Sequence, residues 1–367
     1  MKTNKKLAMT ALITVVLLVG IMFLPVVSAH NLDETTNDKI VQSCEDRIFV
    51  YMVQDFSNPI SIRDIEETQD AVISDYKENK RFVNQPMIFS IPEVSDDERI
   101  IAYGFLVNDD GITSQYVGIG DEGSVSKIQE DAKTWYTNEV LGMGKDKTNT
   151  ILNITSDSLN SKLSTSRASW SGPYRFYNKK YLSPYGGVMN NYELYVLSDD
   201  GSSTVDWFAV VQEFGMEPGY RAYPISLWKN DVGYAEQIWP NGNLGNAQLF
   251  SFRPNGPYTG QTSQSVTITG GTGGASAGLT WTYSQPDVST ECYCSTNTDI
   301  AKWKVTCNSN AAKTSTVGTN PGSTCSANQH SSGSYKILDV KATGIFRESL
   351  LSSKTLSTTS SPYISYS

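Results

Sequence analysis

The stretch Val266-Thr267-Ile268-Thr269-Gly270-Gly271-Thr272-Gly273-Gly274-Ala275-Ser276-Ala277-Gly278-Leu279-Thr280-Trp281-Thr282-Tyr283 decides the fold class. Apolar and polar residues alternate on both sides of a glycine cluster. Successive side chains of a strand point to opposite faces, so the alternation predicts two half-buried antiparallel strands joined by a tight turn. No charged residue lies between Gln264 and Pro286.

Downstream, Cys292, Cys294 and Cys307 surround a third alternating run at 301–305, and Cys325 completes the set. Four clustered cysteines in an exported chain are expected to form two disulfides. Cys292 and Cys294, two apart, would share one face of a strand and not readily bond each other. That leaves 292–307 with 294–325, or 292–325 with 294–307, each bridge contributing about 2–4 kcal/mol. The C-x-C spacing differs from the paired C-x-x-C of zinc ribbons, so neither a metal nor a cofactor is expected. Cys44 stands apart as a free or intermolecular thiol.

Export is read from the start of the chain. Lys2, Lys5 and Lys6 precede an apolar run over 7–27, and Val27-Ser28-Ala29 fits a small-residue cleavage site. Residues 1–29 are therefore expected to be a signal peptide; the run is also long enough for an N-terminal membrane anchor. Residues 30–150 hold 24 acidic and 11 basic side chains, whereas 151–367 hold 14 and 15. A basic nucleic-acid footprint is absent, and the acidic half reads as a solvated surface.

The expected fold class is an α+β N-terminal domain followed by a mainly antiparallel β-sandwich with disulfides. The acidic α+β domain covers 30–147. Its strands are expected over 47–53, 87–91, 100–107 and 112–119. Ser61 caps a helix carrying Ile65, Val72, Ile73 and Tyr76, and Ser124 opens another carrying Val125, Ile128, Ala132, Trp135 and Tyr136. A Ser/Thr/Asn-rich linker follows over 148–169, with Asn153 of Asn153-Ile154-Thr155 as a glycosylation candidate. Short strands punctuated by proline and glycine then predict the sandwich over 170–351. They include runs at 192–197, 205–211, 220–228 and 335–345. The Ser/Thr-rich tail, 352–367, is expected to fray.

No catalytic residue is assigned. The histidines are His30 and His330 alone, and no metalloprotease, nucleophile-elbow or phosphate-loop motif occurs. Asp109-Asp110-Gly111 and Asp199-Asp200-Gly201 read as hairpin turns, lacking the alternating acids of a calcium loop. The best carboxylate candidates for a hydrolase are Asp206, Glu213 and Glu217. The aromatics supply candidate binding rings in Tyr174, Tyr177, Tyr181, Tyr185, Trp281 and Tyr283, amid others needed for the core.

Tyr283-Ser284-Gln285-Pro286-Asp287-Val288, followed by Ala301-Lys302-Trp303, resembles a pattern in uncharacterised secreted β-rich proteins of archaea and Gram-positive bacteria. Pro184-Tyr185-Gly186-Gly187-Val188, Asp206-Trp207-Phe208-Ala209-Val210 and Pro218-Gly219 share that resemblance, which covers about 170–305. It implies an exported β-protein and supplies no assigned activity to carry over. The glycine-rich run leading into Tyr283-Ser284-Gln285-Pro286-Asp287 is faintly similar to the stem of leukocidin-type pore-forming toxins. The cysteines depart from that pattern, because bridges there would clamp a mobile stem.

The expectation is an exported, non-enzymatic extracellular or cell-surface protein that binds a polymer, a surface or another protein. Two alternatives stand beside it. One is a membrane-inserting β-protein whose hairpin refolds into a barrel, since 275–283 meets the length of about 9–11 residues for a spanning strand. The other is a secreted carbohydrate-active hydrolase. A further possibility makes the acidic domain a removable pro-segment. Outside the barrel reading, membrane contact is expected only through the N-terminal segment.

Overall fold

The computed structural model describes residues 39–44, 47–79, 85–142, 168–199, 201–272 and 275–366. The leader at 1–29, Asn153, most of the 148–169 linker and the Cys44 side chain lie outside the described residues. The chain is β-rich, with a small helical contribution near its N-terminus.

The apolar and alternating runs of both halves build one large sheet. Its strands are β1 (Lys39–Cys44), β2 (Arg47–Val53), β4 (Arg99–Asn108), β5 (Thr113–Gly120), β6 (Ser169–Leu182), β7 (Gly186–Ser198), β8 (Val205–Pro218), β17 (Gly322–Asn328) and β10 (Gln248–Arg253), in that spatial order, with β16 (Val317–Thr319) also paired to β8. Most neighbours are antiparallel, but β5 pairs β6 in parallel from Ser114↔Arg175 to Gly120↔Tyr181. A parallel pair needs a crossover, and the chain between these strands supplies one. The α+β part and the sandwich therefore share a single sheet.

A second sheet, in the order β11 (Tyr258–Thr259), β14 (Ser289–Cys292), β15 (Ile300–Thr306), β9 (Lys229–Ile238), β19 (Asp339–Arg347) and β20 (Ser353–Ser360), stacks on one face of the first. Between them lies a core containing Val188, Val210, Phe214, Met216, Ala235, Trp303 and Phe346. Helix α1 (Ile62–Asn79) extends this core with Ile65, Val72 and Tyr76, and the Ser61 hydroxyl accepts the Asp64 N–H at 3.1 Å as its cap. On the opposite face, α2 (Val125–Trp135) buries Ile128, Ala132 and Trp135 over Phe49, Tyr116 and Tyr181. Gly104 admits the Trp135 ring: a Cβ there would meet it at 2.2 Å.

Several elements differ from the sequence reading. The 220–228 run is not a strand but a short helix α3 (Gly219–Ala222) and a loop. The 335–345 run divides into β18 (Gly333–Lys336) and β19. The tail does not fray: β20 pairs β19, and β21 (Pro362–Tyr366) pairs β18 and the short β3 (Ile88–Phe89). Its serines and threonines satisfy their backbone groups in ladders and seat Leu356 in the core.

The expected disulfides are absent among the described residues, where Cys292, Cys294, Cys307 and Cys325 are all free thiols. Cys307 and Cys325 are fully buried, with burial pushing the Cys307 thiol up to about 12 and Cys325 higher still. The shared face that argued against a 292–294 contact instead brings those two sulfurs to 2.6 Å of each other. In the native state a maleimide should label the half-buried Cys292 first, because the hydrogen bond with Cys294 holds its thiol below the usual range. Cys294 should react more slowly, because that same contact and burial raise its thiol, and Cys307 and Cys325 only after denaturation. Peptide mass spectrometry reads this directly.

Lys180 of β6 and Glu98, the residue before β4, form an ion pair at 2.8 Å with side chains only 8% and 3% exposed. Removing one member strands the other charge in the core. Lys180→Met should cost about 3–5 kcal/mol in denaturant unfolding, and Glu98→Leu with Lys180→Met less than that.

Candidate functional site

The deciding stretch forms β12 (Thr262–Thr272) and β13 (Ala275–Gln285), in register from Thr262↔Gln285 to Thr272↔Ala275. The tip at 273–274 lies outside the described residues. The hairpin belongs to neither large sheet and is a two-stranded sheet of its own. An isolated two-stranded ribbon is marginal in water and persists only by laying an apolar face on something.

That face carries Val266, Ile268, Ala277, Leu279, Trp281 and Tyr283, packed on Trp170, Tyr195, Leu197, Trp207, Ala209 and Val211 of β6–β8. Each large inward residue contributes about 1.5–3 kcal/mol of apolar burial. Gly270 lets the ribbon settle on the Trp170 indole, since a Cβ there would stand 2.7 Å from the ring; Gly322 admits Trp281 in the same way. The outward face bears exposed Ser263, Ser265, Thr267, Thr269, Ser276 and Thr282, with the Thr267 and Thr280 hydroxyls 2.8 Å apart.

Few polar bonds fix the ribbon, and they concentrate on one residue. Asn320 accepts the Ser284 N–H at 2.9 Å through its side-chain oxygen and donates to the Thr282 carbonyl at 2.8 Å. Its amide thus stands in for a neighbouring strand along the free edge of β13. The Asn320 carbonyl accepts the Trp281 indole N–H at 2.8 Å, and the Thr324 hydroxyl donates to the Thr269 carbonyl at 2.6 Å. At the base, Gln285 donates to the Gly260 and Val288 carbonyls. The buried amide nitrogen of Gln264 has no partner.

Between the hairpin base and α2, the same face opens into a cavity of about 530 Å³ that includes Tyr177, Asn191, Glu193, Glu213 and Asn320 in its wall. The Arg175 guanidinium bonds Glu193 at 3.1 Å, and Tyr177 donates to Glu139 at 3.0 Å. Among the described residues no group of three or more side chains is arranged to hold a metal.

The carboxylates named from sequence do not converge. Asp206 faces the inner side of β8, where the Tyr366 hydroxyl donates to it. Glu213 and Glu217 face the outer side, four residues and so roughly 13 Å apart along the strand, beyond the span of a glycosidase pair. Glu217 is held by the Tyr181 hydroxyl at 2.8 Å and by Lys127 and Arg221 at 3.5 and 3.8 Å. Of the candidate binding rings, Tyr174, Tyr181, Trp281 and Tyr283 are buried, and Tyr177 and Tyr185 half-buried. Asn320 escaped the sequence reading because nothing in Thr319-Asn320-Pro321 signals an edge clamp.

Asn320→Ala removes both side-chain bonds while leaving the apolar contact intact. The site is half-exposed, so water can replace part of the loss, and the expected cost is about 1–2 kcal/mol. Amide exchange measured by NMR should accelerate at Ser284 well before it changes in β8.

No protein-family profile and no curated relative matches the chain. Among solved structures, one titled "Pore forming protein" overlaps 52% of this chain and 94% of its own, at 9% identity and a TM-score of 0.35. The NetB toxin of Clostridium perfringens in its membrane-inserted form overlaps 53% of this chain and 97% of its own, at 6% identity and a TM-score of 0.24. TM-scores this low do not establish a shared fold.

Proposed function

We propose that the protein is exported and inserts the β12–β13 hairpin into a lipid bilayer as part of an oligomeric β-barrel pore. The supporting observation is the hairpin itself: a ribbon outside both large sheets, uncharged, with one apolar and one hydroxyl-bearing face. A barrel strand needs that pattern, with apolar side chains toward lipid and polar ones toward a watery lumen.

The dimensions agree. Residues 264–272 and 275–283 each give roughly 30 Å of strand, which at barrel tilt spans roughly 23 Å of a band about 25 Å tall. Trp281 and Tyr283 lie at the base end, where with Val266, the register partner of Trp281, they would sit at the membrane interface as an aromatic girdle; Ile268, Leu279 and Ala277, nearer the tip, would meet the hydrocarbon. Among the described residues no helix is long and apolar enough to cross a membrane, so any span there falls to strands.

The ribbon's own side chains lose little, because lipid replaces the Trp170 and Trp207 surface as their apolar partner. The sheet face left behind is bared to water and must be covered by another copy or by lipid. The backbone sets the harder condition. A single hairpin in lipid leaves both edges unpaired at several kcal/mol per group, so insertion requires other copies to close the ring. The absence of disulfides across the cysteine cluster removes the clamp expected on such a movement.

Dye-loaded phospholipid vesicles should leak when the mature chain is added. Ser265→Glu and Ser265→Lys change an exposed residue and should leave folding within about 0.5 kcal/mol of wild type. In planar bilayers the glutamate variant should favour cations and the lysine variant anions, because the residue lines the lumen. Intact vesicles, or channels with the same selectivity in both variants, would sink the proposal.

A further inference from the structure

The pole of the molecule nearest the hairpin base carries apolar side chains that cover nothing. Ile225 is 99% exposed, Leu350 90% and Leu351 100%, and Leu227 and Tyr220 are more than half exposed. They come from two separate segments, α3 with the loop after it and the loop after β19, yet the topology sets these loops side by side. The first leads into β9 at Lys229, and the second leaves β19 at Arg347; those two residues are register partners.

The first loop is anchored while its side chains are not covered. Trp228 is buried, Tyr220 N–H donates to the Trp228 carbonyl at 2.8 Å, and the Ser226 hydroxyl donates to the Pro184 carbonyl at 2.7 Å. Between these fixed points Ile225 adopts φ +67°, a left-handed conformation that costs a β-branched residue dearly. The fold holds a strained isoleucine fully in water, where burial would favour it most.

Cations ring this tip. Lys229 lies 5.9 Å from the Tyr220 ring and Lys354 5.0 Å from the Tyr185 ring, and neither has an ion-pair partner among the described residues. Arg221 and Arg347 add two more, paired to Glu217 and Asp231, while the exposed acid of the second loop is Glu348. Four cations against Glu217, Asp231 and Glu348 leave the tip slightly positive, with the two lysines as its unpaired charges among the described residues. Exposed aliphatics flanked by lysine, arginine and tyrosine are the composition that seats a surface in the headgroup region of a bilayer.

The geometry points to this pole as a docking surface for a phospholipid bilayer containing anionic headgroups. Ile225, Leu227, Leu350 and Leu351 enter the acyl boundary, and Lys229 and Lys354 meet phosphates. The inference deepens the membrane reading by naming the surface that reaches lipid first. The hairpin is oriented to follow: its base joins β14 at the end where Ser289 pairs Thr306, beside Val232 near this pole, and its tip end lies over Trp170 and Trp207 away from it. Rotation about the base carries the tip toward the docked membrane.

Cosedimentation of the full mature chain with vesicles tests docking separately from insertion. Wild type should pellet with phosphatidylcholine vesicles containing phosphatidylserine, and more weakly with phosphatidylcholine alone. Ile225→Ser, Leu227→Ser, Leu350→Ser and Leu351→Ser combined should lower that binding more than about tenfold, with an unchanged melting temperature because the residues touch little. Lys229→Ala with Lys354→Ala should flatten its salt dependence. Failure of wild type to pellet, or equal pelleting of wild type and the fourfold variant, overturns the docking surface. Pelleting without dye release upholds it and removes the pore.

Discussion

The molecule depends on one contact, the apolar face of the β12–β13 ribbon laid on the outward side of β6–β8. Neither partner could stay there alone. The ribbon would expose Val266, Ile268, Leu279 and Trp281, and the sheet would expose Trp170 and Trp207, a patch large enough to invite association with other chains. Their union is mainly hydrophobic, with its directional bonds confined to the Asn320 and Thr324 clamps and to the Trp170 indole N–H, which donates to the Ala277 carbonyl at 3.3 Å. Such a contact is strong in water and indifferent to the chemical identity of the apolar partner, the property a lipid-inserting element needs.

The large sheet serves as the frame for that arrangement. Its inner face is fully committed to a core shared with α1 and the second sheet, where Phe214, Met216, Trp303 and Phe346 interlock. Its outer face is divided among α2, the open polar cavity and the ribbon. Displacing the ribbon would thus leave the principal core intact. Stability and movement are assigned to opposite faces of one set of strands.

Much of the candidate site was legible in the sequence. The alternation through Val266 and Trp281, the glycine turn and the missing charge specified a two-faced ribbon before any coordinates, because strand period and solvent partition act locally. The caps at Ser61 and the apolar faces of both helices were local too. The reading failed where partners are distant. The cysteines suggested cross-strand bridges, but Cys307 and Cys325 are enclosed by different strands while Cys292 and Cys294 meet each other. The tail looked unstructured because serine and threonine advertise solubility; pairing with β18, β19 and β3 decided otherwise. The parallel junction of β5 with β6, which fuses two apparent domains, leaves no mark in either strand.

By itself the sequence determined the two strands of the ribbon and those at 47–53, 100–107, 192–197 and 205–211, which sides of the ribbon shun water, and that the ribbon carries no charge. These follow from near-neighbour chemistry: side-chain period, hydration and backbone preference. Only the tertiary structure decided that the ribbon lies outside both sheets, that Asn320 closes its edge, and that Ile225 and Leu350 share one uncovered pole. Each of these is a juxtaposition of residues dozens to more than a hundred positions apart, set by the stacking of sheets and by no property of the residues taken singly.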